Sequence, residues 1–184
     1  FKDKEYTNHW IRSRSHQLAN GLKKLGVKKG DKVAVGLQNS PDVLVSFQAI
    51  LRVGATIAPI MFNLGPDETK YILENCDASV FITNHEAEEK IQKANEISAV
   101  KHIITLGGEK TPGITPYEEL IENNTVELDI VEVDEDDLAL LIYTAGTTGK
   151  PKGVMLSHAS LNHQAVATYE LWDDEPRRTL SCLP

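Results

Sequence analysis

The stretch LALLIYTAGTTGKPKGVMLSH, residues 138–158, runs from six apolar or aromatic positions straight into ten residues, Thr144 to Gly153, that hold three threonines, three glycines and two lysines. The apolar run predicts a strand, and the composition after it suits a loop that wraps phosphates. Glycines at 146, 149 and 153 allow positive φ and close backbone approach, so successive N–H groups can converge on one anion. The hydroxyls of Thr144, Thr147 and Thr148 add donors for phosphate oxygens or for a Mg2+-bound water. Lys150 and Lys152 supply charge, and Pro151 between them turns the two ammonium groups apart, so that one serves the ligand and the other faces water.

The P-loop pattern G-x-x-x-x-G-K-[ST] is excluded: no glycine stands at the required place ahead of Gly149-Lys150, and Pro151 occupies the Ser/Thr position. A Gly-Thr cluster alone would also suit a polar hairpin turn without a ligand, so the whole string carries the reading. Beyond it, GVMLS at 153–157 predicts a short strand paired close to the first, and Ser157 can cap a helix from about His158 to Leu171.

Upstream, apolar residues recur at helical spacing (Trp10, Ile11, Leu18, Leu22, Leu25) behind Thr7 as N-cap and ahead of Gly26 as stop, predicting a helix over 8–25. KVAVGL (32–37) reads as a buried strand, and Ser40-Pro41 as N-cap and first residue of a helix to about Val53. The alternation goes on with ATIAPI (55–60, strand), PDETKYILENC (66–76, helix), SVFIT (79–83, strand), NHEAEEKIQKANEI (84–97, helix) and HIITL (102–106, strand), then a helical turn at PYEELIE (116–122). Strands alternating with helices predict an α/β fold on a mostly parallel sheet. The expected division is an N-terminal α/β subdomain, 1–137, ending in an acidic connector, and the start of a second subdomain, 138–184, carrying the loop.

The chain has 184 residues, 41% of them hydrophobic, enough for a sizeable core. No apolar run approaches the ~18 residues of a membrane span, and the first thirty residues lack the pattern of a secretion signal. Cys76 and Cys182 stand 106 positions apart without metal-ligand or framework spacing, which reads as two reduced thiols in a cytoplasmic protein. Ten carboxylates and no Lys or Arg lie between Glu118 and Asp137, and this solvated connector makes the net charge -8. Calcium binding is disfavoured because no glycine-punctuated acidic pattern accompanies it. The acidic balance also speaks against nucleic acid as a partner. Lys23, Lys24, Lys28, Lys29 and Lys32 cluster where they complement a helix C-terminus.

YTAGTTGKPKG (143–153), continued by VMLSH, resembles the phosphate-binding signature of the adenylate-forming enzymes: acyl-CoA synthetases, firefly luciferases and adenylation domains. FKDKEYTNHW onward to ATIAPI (1–60) and DETKYILENCDASVFIT (67–83) look like the start and continuation of an acyl-CoA synthetase catalytic domain. Ala145 departs from the pattern, which usually has Ser, Thr or Gly there, leaving a backbone N–H but no hydroxyl. The resemblance implies the N-terminal portion of the acyl-CoA synthetase large-domain fold. It also implies that RRTLSCLP (177–184) is followed by acyl, adenine and CoA sites, so that the chain is expected to be a fragment, inactive alone, of a longer enzyme.

The implied reaction has two halves: a carboxylate attacks the α-phosphate of Mg-ATP to give acyl-AMP and pyrophosphate, then CoA sulfur displaces AMP. The resemblance makes Thr144 the magnesium-linked hydroxyl. Ala145, Gly146, Thr147, Thr148 and Gly149 become the phosphate cradle, and Lys152 the catalytic charge that neutralises departing pyrophosphate. Lys150 sits at a variable position and reads as solvated. His158 and His163 lack the spacing of a metal pair. The other histidines (His9, His16, His85 and His102) lack acidic partners. Trp10 and Trp172 read as packing anchors, and Asp136 and Asp137 as connector charges.

Two alternatives stay open. One is an amino-acid adenylation domain feeding a carrier protein, against which LRVGATIAPI lacks that group's tyrosine and proline-acidic ending. The other is a non-catalytic α/β binding module. No residue of the chain specifies acyl chain length, thiol acceptor or oligomeric state.

Overall fold

The computed structural model describes residues 1–144 and 150–170. Among them six helices and seven strands alternate: α1 (Asn8–Lys24), β1 (Lys32–Gly36), α2 (Pro41–Arg52), β2 (Thr56–Pro59), α3 (Pro66–Asn75), β3 (Ala78–Asn84), α4 (Glu88–Asn95), β4 (His102–Leu106), β5 (Thr115–Pro116), α5 (Tyr117–Glu122), β6 (Leu138–Thr144), β7 (Lys152–Ser157) and α6 (His158–Glu170). The strands form one sheet in the order β5-β4-β3-β1-β2-β6-β7, parallel throughout except for the antiparallel β6–β7 pair. This is the expected α/β architecture.

Local chemistry sets the element ends. Thr7 accepts the Trp10 N–H at 3.1 Å to open α1, and Gly26, at φ +88°, closes it while Val27 and Gly26 donate back to Leu22 and Lys23 carbonyls. Pro41 begins α2 as expected, but the Ser40 side chain makes no cap bond, so proline's preset φ and Asp42 in the first turn carry that start. The expected start of α4 at Asn84 is corrected: Asn84 pairs with Leu106 as the last residue of β3 and accepts the Gln38 N–H at 2.7 Å, so the helix begins at Glu88. β5 adds a strand to the expected set; two residues at a sheet edge leave no periodic trace in the sequence.

Two apolar layers enclose the sheet. Leu18, Leu22, Val45, Ile50, Leu120 and Ile121 of α1, α2 and α5 pack with Val33, Val35, Val80 and Ile82 on one face. Ile72, Leu73, Ile91 and Ala94 of α3 and α4 pack with Ala34, Phe81, Ile103 and Leu141 on the other. Neighbouring strand residues thus divide between the faces, as the pleat requires. Tyr117 is fully buried and shares its hydroxyl with Ser46 at 3.1 Å and the Asp42 carbonyl at 3.2 Å, joining α5 to α2.

The acidic connector keeps its side chains largely in solvent, but its backbone is strapped to α1. His16 pairs with the Val126 carbonyl at 2.8 Å, Gln17 donates to Asn124, and Asn20 to both Thr125 and Glu127. Lys29 reaches Asp137 at 2.7 Å and Asp134 at 3.4 Å. The basic cluster therefore does more than complement a helix end: it guides the chain into β6, whose Leu140 pairs with Ile57 of β2.

Candidate functional site

The β6–β7 hairpin presents the glycine-rich loop. Its register sets Thr144 opposite Lys152, Tyr143 opposite Gly153 and Ile142 opposite Val154. Directly opposed residues of an antiparallel pair share a face, with Cβ atoms about 5 Å apart. The Thr144 hydroxyl and the Lys152 ammonium thus leave the two limbs on one face, both exposed, at the carboxyl end of a strand parallel to β1 and β2. Open α/β sheets bind ligands at that end.

The opposite face is filled. Tyr143 packs on the α3–α4 layer and donates its hydroxyl to Asn75 Oδ1 at 2.6 Å. Burial pushes its phenol up to about 12, so it stays a donor at physiological pH. Gly153 makes room for that ring: a Cβ there would stand 3.0 Å from Leu141 Cδ1 and 3.3 Å from Tyr143 Cζ. The expectation that Gly153 serves a positive φ is corrected, since it lies in regular strand without one. Its missing side chain is what the hairpin uses.

Pro151 accepts a hydrogen bond from the Tyr71 hydroxyl at 3.2 Å, and the Lys150 ammonium lies 5.4 Å from the Tyr71 ring centroid. Lys150 is therefore exposed but held over an aromatic face. Lys152 is left facing Thr144. Ala145, Gly146, Thr147, Thr148 and Gly149 lie outside the described residues, as do Trp172 and Cys182.

Beyond the hairpin, Ser157 accepts the Ser160 N–H at 3.3 Å and opens α6, as its place before His158 predicts. His158 donates its own N–H to the Asp137 carbonyl at 3.0 Å. Asp137 is turned toward Lys29, whose hydrogen bond holds its carboxyl below the usual range. Trp10 stacks edge-on with Tyr6 and carries the Arg14 guanidinium at 4.8 Å, a packing role. Among the described residues no three His, Cys, Asp or Glu side chains gather as a metal group, and no helix is long and apolar enough to cross a membrane. Cys76 is buried and free, its thiol pushed up to about 11 by burial, which makes it an inert core residue.

The two described ends of the glycine-rich stretch thus carry an exposed hydroxyl, Thr144, and an exposed ammonium, Lys152, on one face of the hairpin. The family model for AMP-binding enzymes matches residues 1–184. The chain belongs to the AMP-binding enzyme family. Acetyl-coenzyme A synthetase of Bacillus subtilis is 32% identical to this chain over 166 residues, covering 89% of it and 29% of the relative. A linear gramicidin synthase protein of Brevibacillus parabrevis is 29% identical over 176 residues, 96% of the chain and 3% of that protein. The crystal structure of an anthranilate CoA ligase in complex with anthranoyl-AMP superposes with a TM-score of 0.84 at 30% identity, over 92% of this chain and 32% of that one. The fold is thus that of the large domain of adenylate-forming enzymes, and the chain spans less than a third of the length of each of these relatives.

What sequence reasoning missed is the contribution of α3. Tyr71 and Asn75 sit one helical turn apart, a spacing that reads as ordinary amphipathic periodicity until the hairpin is folded against it.

Proposed function

We propose that the protein carrying this chain is an ATP-dependent carboxylate–CoA ligase that forms an acyl adenylate and passes the acyl group to CoA. The pairing of exposed Thr144 with exposed Lys152 across the mouth of the glycine-rich loop carries the reading. A carboxylate oxygen bonds to the α-phosphorus of ATP while the bond to pyrophosphate breaks, and negative charge builds on the leaving group. Lys152 is positioned to neutralise that charge. Thr144 offers an oxygen to a phosphate or to the Mg2+ that accompanies ATP, which screens the triphosphate when bound. Ala145 to Gly149 supply the backbone cradle. In the second half CoA sulfur bonds to the acyl carbon and AMP leaves. Catalysis in this chain rests on positioning and charge, and none of its residues acts as a nucleophile.

Residues 1–137 form the supporting subdomain in this reading, and 138 onward begins the catalytic one. The setting is cytoplasmic, supported by two cysteines without pairing or metal spacing. A 184-residue chain by itself is expected to form no adenylate.

The amino-acid adenylation reading is kept alive by the likeness to the gramicidin synthase protein over 96% of the chain. Carboxylate-dependent ATP–pyrophosphate exchange by the full-length protein, run with aliphatic, aryl and amino acids, tests both. Exchange with aliphatic or aryl acids and thioester formation with CoA is the expected result; exchange with amino acids alone would transfer the protein to the carrier-dependent class. No exchange and no Mg-ATP binding would make it a non-catalytic module.

A further inference from the structure

The loop hairpin is gripped from one side by a single helix. Tyr71 and Asn75, at i and i+4 of α3, reach both limbs: Tyr143 of the outgoing limb donates to Asn75 at 2.6 Å, and the returning limb gives the Pro151 carbonyl to the Tyr71 hydroxyl at 3.2 Å. The Tyr71 ring also lies under the Lys150 ammonium, 5.4 Å from its centroid. α3 is itself immobilised by Ile72 and Leu73, which are buried in the layer beneath the sheet. Two tethers on one helical face therefore set the spacing of the limbs and draw Lys150 to the α3 side.

We propose that Tyr71, seconded by Asn75, is a positioning residue for nucleotide phosphates: by holding Pro151 and Lys150 against α3 it keeps the next lysine, Lys152, on the Thr144 face. Tyr71 touches no phosphate and acts through the backbone between the two lysines. This inference rests on the ligase reading for its substrate, and its geometry concerns the contacts of α3 with the two limbs of the hairpin.

Tyr71→Phe and Tyr71→Leu in the full-length protein, each alone and combined with Lys152→Ala, test it by two readouts: Mg-ATP binding by calorimetry and carboxylate-dependent exchange kinetics. Removing only the hydroxyl is expected to weaken Mg-ATP about two- to tenfold, the range of one hydrogen bond, with the KM for the carboxylate unchanged. Tyr71→Leu, which also releases Lys150, is expected to weaken it further. Both penalties should shrink when Lys152 is already alanine, because residues acting through a shared group are not additive. Equal penalties in the two backgrounds, or a lowered melting temperature with unchanged Mg-ATP affinity, would reduce Tyr71 to a packing residue and overturn the proposal. If the unsubstituted protein binds Mg-ATP without any exchange, the ligase reading fails while the binding comparison still decides the role of Tyr71. If it binds no Mg-ATP, both fail.

Discussion

Lys150 and Lys152 differ by two positions and by a whole environment. One ammonium rests on the Tyr71 ring, and the other stands on the face of Thr144. In the full-length protein Lys152→Ala is expected to slow exchange at least tenfold, roughly the scale of losing one charged contact to a developing anion, with little change in carboxylate binding. Lys150→Ala is expected to change exchange less than about fivefold, since a partly exposed cation–π contact contributes about 0.5–1 kcal/mol. Equal effects on exchange and on carboxylate binding would remove the assigned role of Lys152. Gly153 makes the same point in steric terms. An alanine there meets Leu141 at 3.0 Å and Tyr143 at 3.3 Å, so Gly153→Ala should lower stability by about 1–3 kcal/mol in a thermal melt. A variant as stable as the parent would mean that the Tyr143 ring yields freely.

Among the elements, α1 does two jobs: its apolar stripe enters the core while His16, Gln17 and Asn20 on its polar side hold the acidic connector by its carbonyls. Charge composition alone marks that connector as solvated, because side chains announce their solvent preference and backbone carbonyls do not. Asn20→Ala removes the bonds to Thr125 and Glu127 and should cost about 1 kcal/mol. It should also quicken proteolytic nicking within 124–131, whereas unchanged cleavage there would mean the strap holds without it. Strand and helix periodicities make nearly every element legible. β5 escapes because it has only two residues, and the start of α4 is misplaced because Asn84 carries turn chemistry while pairing as a strand.

At the scale of the whole molecule, burial makes stability depend on alkaline pH. Burial pushes the Cys76 thiol from about 9 to about 11 and raises the Tyr117 phenol as well. The folded chain therefore keeps protons that the unfolded chain releases. The stability that Cys76 contributes is complete below about pH 9 and is lost as pH rises toward 11, by roughly 2 kcal/mol, and that of Tyr117 is lost in the same direction as pH rises above about 10. Urea unfolding at about pH 8 and about pH 10.5 should show that loss, and Cys76→Ala should remove its share. An identical pH dependence in the variant would show that the thiol is not held protonated by the fold.

By itself the sequence determined the alternation of strands and helices, the mostly parallel sheet and the family to which the chain belongs, because periodicity, capping residues and motif composition act over a few neighbouring positions. Tertiary structure alone decided which face Thr144 and Lys152 share, why position 153 must lack a side chain, and that Tyr71 and Asn75 brace the hairpin. Those braces are contacts between residues 68 and 80 positions apart, brought together only when the two layers close on the sheet. Burial and distance exist only after that closure, and no local pattern encodes them.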